Sequence, residues 1–449
     1  MSSAASPVRA GNTNYLELFD TAGDERKFPL VRQWMNSEPL SFFAQLREER
    51  PVLTTPAATL VARFADVTDI LNQPKIFTVA LYQPKMSDYL MAHDDDALHY
   101  REKSIMQGFL NRDDIPAVRA MVAQISAGIL ANAGGAIEIV NSYCRMTPAC
   151  LVQQYFGLDG VDSASLIEWS YWNQYDAFHN QPFSEVSDEM RTHISSKHEE
   201  VTAKLGAYLK KLILRKLIEV KAEAVATLPL TLEHDIVELV RGKPAYELKD
   251  DIVSRMLRTS YPEAMEFDLQ RVGINAGGLL VGAIETTSQA VAQVIQFLLD
   301  RPHLLSAARE AARLPDPQSF DGMVWEALRF APIGPFLFRK ASQDCVVGAG
   351  TPHETAIPAG TIVLALAQSA MFDRAAFDRP DEFMGGRNWY RYFHFGFGSH
   401  ECLGKYVGMV MIPEMVRQVM LLPQLQAGGP IDYQAGPFPE RYELAWRAQ

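Results

Sequence analysis

One cysteine, Cys402, stands in a glycine-rich loop at the predicted start of a helix. The loop reads Phe-Gly-Phe-Gly-Ser-His-Glu-Cys-Leu-Gly over 395–404, and apolar side chains recur at helical spacing over 403–422. Pro413 inside that stretch predicts a kink rather than an end. Because a helix amino end carries unpaired N–H groups and partial positive charge, we expect it to stabilise a thiolate, the form of cysteine that ligates metals. The pattern predicts an iron site, and the alternative is an inert buried cysteine.

The same loop matches a known family pattern. The matching residues are Phe395, Gly396, Gly398, His400, Cys402 and Gly404. The loop resembles the haem-binding loop of the cytochrome P450 family, in which a cysteine thiolate ligates the haem iron. The resemblance implies haem b (iron protoporphyrin IX) as the cofactor, with Cys402 as the metal ligand. It also implies that Phe395, Gly396 and Gly404 shape the cofactor site, since glycine lets the backbone approach a flat partner closely.

A glutamate and an arginine lie three residues apart upstream of the cysteine loop. Glu326 and Arg329 share one face of a predicted helix, where they can pair. Taken alone, the spacing is equally that of a surface ion pair. Its place before Cys402 resembles the buried pair of the P450 family, which implies Arg387 as a third member. We expect these three residues to be structural and to hold the cysteine loop in shape, because a buried charge without its partner is costly.

A predicted long helix over 268–300 carries an acid next to an alcohol, Glu285 and Thr286. Three glycines just before them weaken helix propensity. Breaking an O–O bond needs protons, which a carboxylate can relay and an alcohol can help to position. The pair resembles the oxygen groove of the P450 distal helix, which implies Glu285 and Thr286 as catalytic residues and Ala283 beside the cofactor. Alternatively, the Thr286 hydroxyl only bonds back to the carbonyl four residues earlier.

Four basic residues match positions from which P450 enzymes hold the haem propionates. They are His99, Lys103, Arg339 and His400. His99 and Lys103 fall on one face of a predicted helix. Lysine stands where the family often has arginine, and it donates as a point charge rather than as a fork. Arg101 is the alternative to Lys103, and the sequence leaves open which of the two contacts a propionate.

The resemblance also implies where a substrate would bind. Aromatic and methionine side chains at these positions favour a small apolar organic substrate, although each could equally belong to the core. The candidate substrate-pocket residues are Tyr82, Met86, Tyr89, Tyr175, Phe178, Leu279, Ile333 and Phe336.

Helical periodicity dominates the chain that must position these residues. It predicts helices over 39–50, 65–71, 118–132, 148–157, 199–225 and 268–300, and a loop over 82–96. Short strands are predicted at 52–54, at 59–63 and between 334 and 366. We therefore predict a mainly α protein with a smaller β region and the cytochrome P450 fold. With no repeat or long linker, residues 1–449 are expected to form one haem domain with a loosely ordered leader over about 1–30.

Bulk composition limits the class of partners. Hydrophobic residues make up 48% and charged residues 21%, as in a globular protein with a large core. The net charge of −12 argues against nucleic acid, which needs basic patches. The longest apolar run, 276–284, is too short to span a bilayer, and residues 1–27 lack the apolar core of a signal peptide. Four cysteines without zinc spacing fit a reducing compartment. We expect no membrane anchor and a cytoplasmic location.

Together the motifs imply a haem-thiolate monooxygenase that inserts one atom of dioxygen into its substrate, because a thiolate ligand favours O–O cleavage. No region remains for flavin or nicotinamide, so electrons from NAD(P)H are expected to come through a reductase and a separate ferredoxin or flavodoxin. The candidate docking residues on the cysteine side are Lys405, Arg391, Arg112 and Arg101. The alternatives are a peroxide-dependent peroxygenase, a hydroperoxide isomerase, or a haem-binding sensor without turnover.

Overall fold

The computed structural model describes residues 13–226, 250–259 and 261–448. Helices dominate these residues and strands form a smaller part, which confirms the prediction of a mainly α protein. The α-helices are α1 (Tyr15–Thr21), α2 (Asp24–Ser37), α3 (Pro39–Glu49), α4 (Phe64–Leu71), α5 (Gln83–Met86), α6 (Ala97–Phe109), α7 (Ile115–Asn132), α8 (Met146–Leu151), α9 (Ser163–Gln174), α10 (Asp188–Ala226), α11 (Ile252–Arg258), α12 (Leu269–Leu299), α13 (Pro302–Ala312), α14 (Gln318–Phe330), α15 (Ala367–Ala370) and α16 (Lys405–Met420). The strands are β1 (Val52–Thr54), β2 (Thr59–Val61), β3 (Phe77–Thr78), β4 (Ala136–Glu138), β5 (Leu337–Ala341), β6 (Cys345–Val347), β7 (Thr355–Ile357), β8 (Ile362–Ala365), β9 (Gln426–Ala427) and β10 (Glu443–Ala445).

Helix α12 is the central element and runs for 31 residues. The Asp268 carboxylate accepts a hydrogen bond from the Arg271 N–H at 2.9 Å and so caps its amino end. Apolar side chains are buried on almost every side of the helix, because α9, α10, α14 and α16 pack around it. The predicted bounds, 268–300, are confirmed to within one residue at each end.

A five-stranded sheet lies beside the helices in the order β1-β2-β8-β5-β3. β5 pairs antiparallel with β8, so that Arg339 lies opposite Val363, and β2 runs parallel to β8. The predicted strands at 52–54, within 59–63 and between 334 and 366 are confirmed. Because β5 has a paired strand on both sides, the backbone at Arg339 is held in a fixed place.

The amino-terminal residues depart from the prediction. Residues 15–37 form α1 and α2, which bury Tyr15, Phe19 and Phe28 in a cluster with α3. The expectation of a loosely ordered leader is therefore wrong for residues 15–30, and residues 1–12 lie outside the described residues. Charged side chains interrupt the apolar pattern of these short helices, which weakens the periodic signal in the sequence.

Several other elements differ only in their detail. The helices expected over 39–50, 65–71 and 118–132 are confirmed as α3, α4 and α7. The expected loop over 82–96 contains α5 and a short 3-10 helix, Leu90–Ala92. The helix expected over 148–157 divides into α8 and a π-helical turn, Val152–Phe156, while α10 extends beyond the expected 199–225 at both ends.

One stretch, Ala97–Asn132, is long and apolar enough to cross a membrane when only length and composition are counted. In the fold this stretch consists of two helices, α6 and α7, separated by residues 110–114. α6 buries the charged residues Glu102 and Lys103, and α7 packs along α16. Buried charges and a break between the helices make the stretch a weak candidate for a membrane span.

Candidate active site

The cysteine loop contacts α4 and α14 and leads into α16. The Cys402 N–H donates to the Phe395 carbonyl at 2.8 Å and closes the loop. Gly398 has a φ of +73°, and a Cβ there would lie 2.5 Å from the Leu71 carbonyl oxygen. Only glycine fits at this point of the loop, because it has no Cβ and adopts positive φ freely.

The Cys402 side chain is accessible although the next residue, Leu403, is buried. Protein surrounds the thiol on its other sides. This burial raises the pKa of Cys402, while the Gly404 N–H and the charge of Lys103 act in the opposite direction without cancelling it. The N–H group of Gly404 at the helix end thus favours the thiolate as expected, but burial outweighs it. Deprotonation needs a stronger partner, and a coordinated metal ion is one.

Helix α12 has an accessible face half-way along its length. Gly282 is exposed, and a Cβ there would meet no atom within 4 Å. Ala283 and Thr286 are half-buried on the same side. Thr286 Oγ1 donates to the Gly282 carbonyl at 2.7 Å, which is the alternative that the sequence left open. Its oxygen can still accept hydrogen bonds from the accessible side, because a hydroxyl has two lone pairs.

Glu285, in contrast, is fully buried and forms a two-point ion pair with Arg145. Arg145 Nε and Nη2 donate to the two carboxylate oxygens at 2.9 and 3.0 Å. Arg145 Nη1 donates to Glu440 at 3.0 Å, and the Tyr171 hydroxyl donates to Glu440 at 2.8 Å. Burial raises the pKa of Glu285 even though Arg145 lowers it. The carboxylate is thus held in a defined position beside Thr286.

Tyr89 connects the cysteine loop to α12. Its ring lies so close to Gly278 that a Cβ there would come within 2.1 Å of a ring carbon. The pKa of Tyr89 is raised, first by burial and then by the negative charge of a Cys402 thiolate nearby. Tyr89 therefore contacts the middle of α12 and lies near enough to Cys402 for their charges to interact.

The four residues expected to bind the haem propionates lie close together beside the cysteine loop. The His99 and His400 rings have centroids 4.3 Å apart. Burial, followed by the positive charges of His99, Arg339 and Lys103, lowers the pKa of His400 to about 2. His99 is already satisfied, since its two ring nitrogens lie 2.8 and 3.1 Å from backbone carbonyl oxygens.

Lys103 and Arg101 have different partners. Lys103 Nζ donates to the Glu401 carbonyl at 2.7 Å and also to that of Ser399, so it ties α6 to the cysteine loop. Arg101 instead pairs with Glu266 at 2.9 Å. Of the two candidates, Lys103 is the one that the fold places beside the loop.

Unpaired polar atoms indicate that a further group fits here. Both ring nitrogens of His400 are buried without a hydrogen-bond partner among the described residues. Arg339 is only 5% exposed, and the hydrogen bond that its guanidinium makes goes to the neighbouring Phe338 carbonyl. Buried donors without acceptors are costly. The two carboxylates of a haem would supply the acceptors, and the accessible Cys402 sulfur would supply the iron ligand, so the residues present fit haem.

The predicted supporting triad forms. Glu326 and Arg329 are both fully buried and pair through two hydrogen bonds, at 2.7 and 3.0 Å. Arg387 Nε joins the same carboxylate at 3.0 Å, and the Tyr392 hydroxyl adds a fourth bond at 2.8 Å. Burial acts to raise the pKa of Glu326, but Arg329 outweighs it and lowers that pKa. The network joins α14 to the segment that leads into the cysteine loop.

Comparison with known proteins agrees with this geometry. The family model described as Cytochrome P450 matches residues 138–421, well over half of the chain. The chain belongs to the cytochrome P450 family. The chain is 25% identical to pulcherriminic acid synthase of Bacillus subtilis over 84% of its own length and 86% of the relative's. It is 24% identical to erythromycin C-12 hydroxylase of Saccharopolyspora erythraea over 81% of its length and 82% of the relative's.

Solved structures share the fold. The versatile cytochrome P450 enzyme CYP109B1 from Bacillus subtilis superposes with a TM-score of 0.70 at 19% identity, over 91% of this chain and 99% of that one. This confirms the predicted P450 fold. As a P450, the protein is a haem-thiolate monooxygenase, an oxidoreductase that uses dioxygen, and P450s of this bacterial type bind organic substrates and use redox partners.

The predicted substrate-pocket residues of this P450 fall into separate groups. Tyr82, Phe178 and Phe336 lie together at the edge of one apolar cluster. Tyr89 and Leu279 lie in the main core near α12. The remaining three predicted residues lie outside both groups. Tyr175 packs with Phe438 in a small separate cluster. Met86 is half-buried, and Ile333 is 38% exposed.

Sequence reasoning missed several residues that position this P450 site. Arg145 and Glu440 hold Glu285, and Tyr392 joins the supporting triad. Glu102 on α6 is buried and pairs with Arg271 on α12 through two hydrogen bonds, one of which is 2.7 Å long. This pair fixes α6, the helix that carries His99. These interacting residues lie far apart in the chain, without a fixed spacing between the two members of a pair. The only sign of them in a single sequence is a charged residue within an apolar helix.

Proposed function

We propose that this P450 holds haem b, with Cys402 as the iron ligand and with His400 and Arg339 as the principal propionate donors. The two unpaired ring nitrogens of His400 support this assignment. His99 and Lys103 lie behind them and brace the loop. When bound, haem supplies the activation of dioxygen that the thiolate ligand favours.

The rest of the cofactor site is formed by backbone and packing. The Phe395 ring fills the space left by the absent side chain of Gly408, where a Cβ would lie 2.7 Å from it. Gly396 turns the loop with a φ of +74°, and Gly404 precedes α16. On the opposite side, Ala283 belongs to the accessible face of α12, where a small side chain leaves room for a flat ring.

Thr286 and Glu285 control the delivery of protons. The Thr286 hydroxyl donates to the Gly282 carbonyl and can accept a hydrogen bond from a water molecule on the accessible face of α12. The neighbouring Glu285, whose carboxylate Arg145 holds in place, is the proposed source of protons for that side of the helix. The observation that carries this function is that a half-buried Thr286 adjoins a buried, ion-paired Glu285 on the helix that Tyr89 contacts at Gly278. A peroxygenase or a hydroperoxide isomerase has no need for such a relay.

Two measurements test this proposal. The reduced protein with carbon monoxide should give the Soret shift of thiolate-ligated haem, and its absence would refute the cysteine assignment. NADH with a surrogate ferredoxin and its reductase should then support product formation from an apolar test substrate. If hydrogen peroxide alone gives full turnover and the electron chain gives none, the peroxygenase alternative is correct.

The electron donor is a separate ferredoxin or flavodoxin, reduced by NAD(P)H through its reductase. Two basic residues support a docking site near the cysteine loop. Arg112 is exposed and stacks over Tyr406, the residue that follows Lys405, at 4.2 Å from the ring centroid. Lys405 also pairs with Glu401 at 2.6 Å, and Arg391 donates to the Ala376 carbonyl. Arg101 contributes less, because Glu266 neutralises it.

A charge reversal separates a docking role from ordinary surface charge. Arg112→Glu should slow the first reduction of the haem by the carrier about tenfold at low salt, with little change at high salt. Arg26→Glu, at an exposed position on α2, should leave the rate unchanged. Equal rates for the two variants would place the carrier elsewhere.

The substrate is a small apolar organic molecule, and hydroxylation is the reaction. The aromatic side chains of Tyr82, Phe178 and Phe336 support an apolar pocket. The relative from Saccharopolyspora is an erythromycin C-12 hydroxylase, which supports hydroxylation in this chain as well. We place the enzyme in the cytoplasm and treat residues 1–449 as a single haem domain.

A further inference from the structure

Arg32 on α2 is a largely buried cation without an acceptor. Its Nε is buried and unpaired, and its guanidinium makes no hydrogen bond or ion pair with any residue that the structure describes. The guanidinium lies over the Phe336 ring, 5.5 Å from the centroid. Burial lowers the pKa of Arg32, and the more distant Glu185 only partly offsets this. The side chain is therefore held in a place where its charge is only partly compensated.

Arg32 lies at one end of a cluster of aromatic side chains. The Phe336 ring contacts Phe183 at 5.9 Å between centroids, and Phe183 contacts Phe338 at 5.1 Å. Tyr82 stacks on Phe338 at 4.5 Å and also touches Phe178. Three of the predicted substrate-pocket residues thus form a continuous aromatic wall that begins at Arg32.

The other end of this wall is at the cofactor side. Phe336 precedes the propionate donor Arg339 by three residues of extended chain, which corresponds to about 10 Å. The aromatic cluster therefore has Arg32 at one end and lies close along the chain to Arg339, the proposed propionate donor, at the other.

The Arg32 guanidinium lacks a hydrogen-bond acceptor among the described residues, which indicates the kind of ligand that would fit there. Buried guanidinium groups are normally paired, because an unpaired buried charge is costly. The Nη atoms of Arg32 are not among the buried unpaired atoms, so they remain accessible to a ligand. A planar fork of N–H donors matches a carboxylate through two parallel hydrogen bonds. In a protein of net charge −12, such a local cation is also what an anionic ligand would need.

We propose that Arg32 is a recognition site for a carboxylate, and that the substrate is an apolar carboxylic acid bound with its acid group at Arg32 and its apolar part along the aromatic wall. The proposal rests on the proposed function, because it places this acid in the pocket of a haem enzyme. Arg32 selects and orients the molecule from a distance and takes no part in the oxidation itself.

Spectral titration of the haem-loaded enzyme tests this site. The probes are dodecanoic acid and naphthaleneacetic acid, each compared with its own methyl ester, and the readout is the Soret shift on binding. At least one acid should bind more tightly than its ester. Arg32→Leu should raise the Kd of that acid about tenfold or more and change the Kd of the ester less than about twofold. Arg32→Lys should fall between the two, because it keeps the charge and loses the fork.

Arg26→Leu is the matched control, since it removes the same charge from an exposed position on the same helix. It should leave both Kd values unchanged. The proposal is overturned if no acid binds more tightly than its ester, if Arg32→Leu weakens acid and ester equally, or if Arg26→Leu has the same effect. The carbon monoxide spectrum of each variant tests the proposed function separately, because a failure of haem ligation appears there whatever the acids do.

Discussion

Arg145 and Glu285 form a two-point ion pair of 2.9 and 3.0 Å that is closed off from solvent and stands directly beside Thr286. The two residues are 140 positions apart in the chain. Their side chains are 4% and 0% exposed, so neither can lose its partner and be solvated in place. Arg145 therefore determines both the position and the charge of the carboxylate that we propose as the proton relay.

Arg145→Gln should lower the free energy of unfolding by about 3 kcal/mol at neutral pH, because it leaves a buried carboxylate unpaired. This loss in the free energy of unfolding should be smaller at acidic pH. Burial already holds the pKa of Glu285 above its ordinary value of 4.5, and the substitution raises it further. The folded state then binds the proton more tightly than the unfolded state, so stability is retained below 4.5 and lost as the pH rises above it. Chemical denaturation at about pH 5 and about pH 8 measures this difference.

The double variant Arg145→Gln/Glu285→Gln is the control, since it removes both charges. It should recover part of the lost stability at neutral pH, because two neutral amides can hydrogen-bond to each other while Glu440 still lacks its Arg145 partner. An Arg145→Gln protein that loses the same stability at both pH values would contradict the account, as its loss would then come from packing.

Thr286→Ala should retain the consumption of NADH but divert it to hydrogen peroxide. The hydroxyl that positions the proton donor is absent, so we expect the yield of product per NADH to fall about tenfold or more. Thr286→Ser keeps the hydroxyl and should restore most of the yield. If Thr286→Ala couples as well as the wild type, ordered water rather than this hydroxyl organises proton delivery.

The sequence predicts the parts of the site that lie at fixed spacings. Cys402 within its loop and the Glu326–Arg329 pair on one helix turn are local patterns, and the structure places all of them as expected. Arg145 and Arg32 are lone arginines in the sequence, and only the tertiary fold brings each to its place beside Glu285 or Phe336.

The burial of Cys402 could not be deduced from the spacing of residues in the sequence. A helix amino end indicates a stabilised thiolate, yet burial raises the pKa of Cys402 more than that end lowers it. The amino-terminal helices α1 and α2 also depend on tertiary contacts. Their apolar residues pack against partners in α3 and the sheet. Local propensity was too weak to predict them.

Arg329→Ala should abolish haem loading rather than slow turnover. Arg329 supplies two of the bonds to Glu326 and also donates to the Met371 and Glu382 carbonyls, so its loss frees the segment that leads to the cysteine loop. The ratio of haem to protein after purification measures the effect. Arg374→Ala should load haem normally, because that arginine is 81% exposed in a surface pair. A soluble, fully loaded Arg329→Ala protein would refute the structural role.

His400→Leu should release haem faster than the wild type. If His400 donates to a propionate, removing one charge-assisted hydrogen bond should increase the rate of haem transfer to apomyoglobin about tenfold or more. The buried and unpaired state of both ring nitrogens gives the reason, since the nearest carboxylate, that of Asp95, lies 4.0 Å from Nε2 and forms no hydrogen bond with it. His303→Leu, at an exposed site on α13, should have no effect. An unchanged rate for His400→Leu together with rapid loss from Arg339→Leu would assign the propionate contact to the arginine alone, and His400 would then serve only to pack against His99.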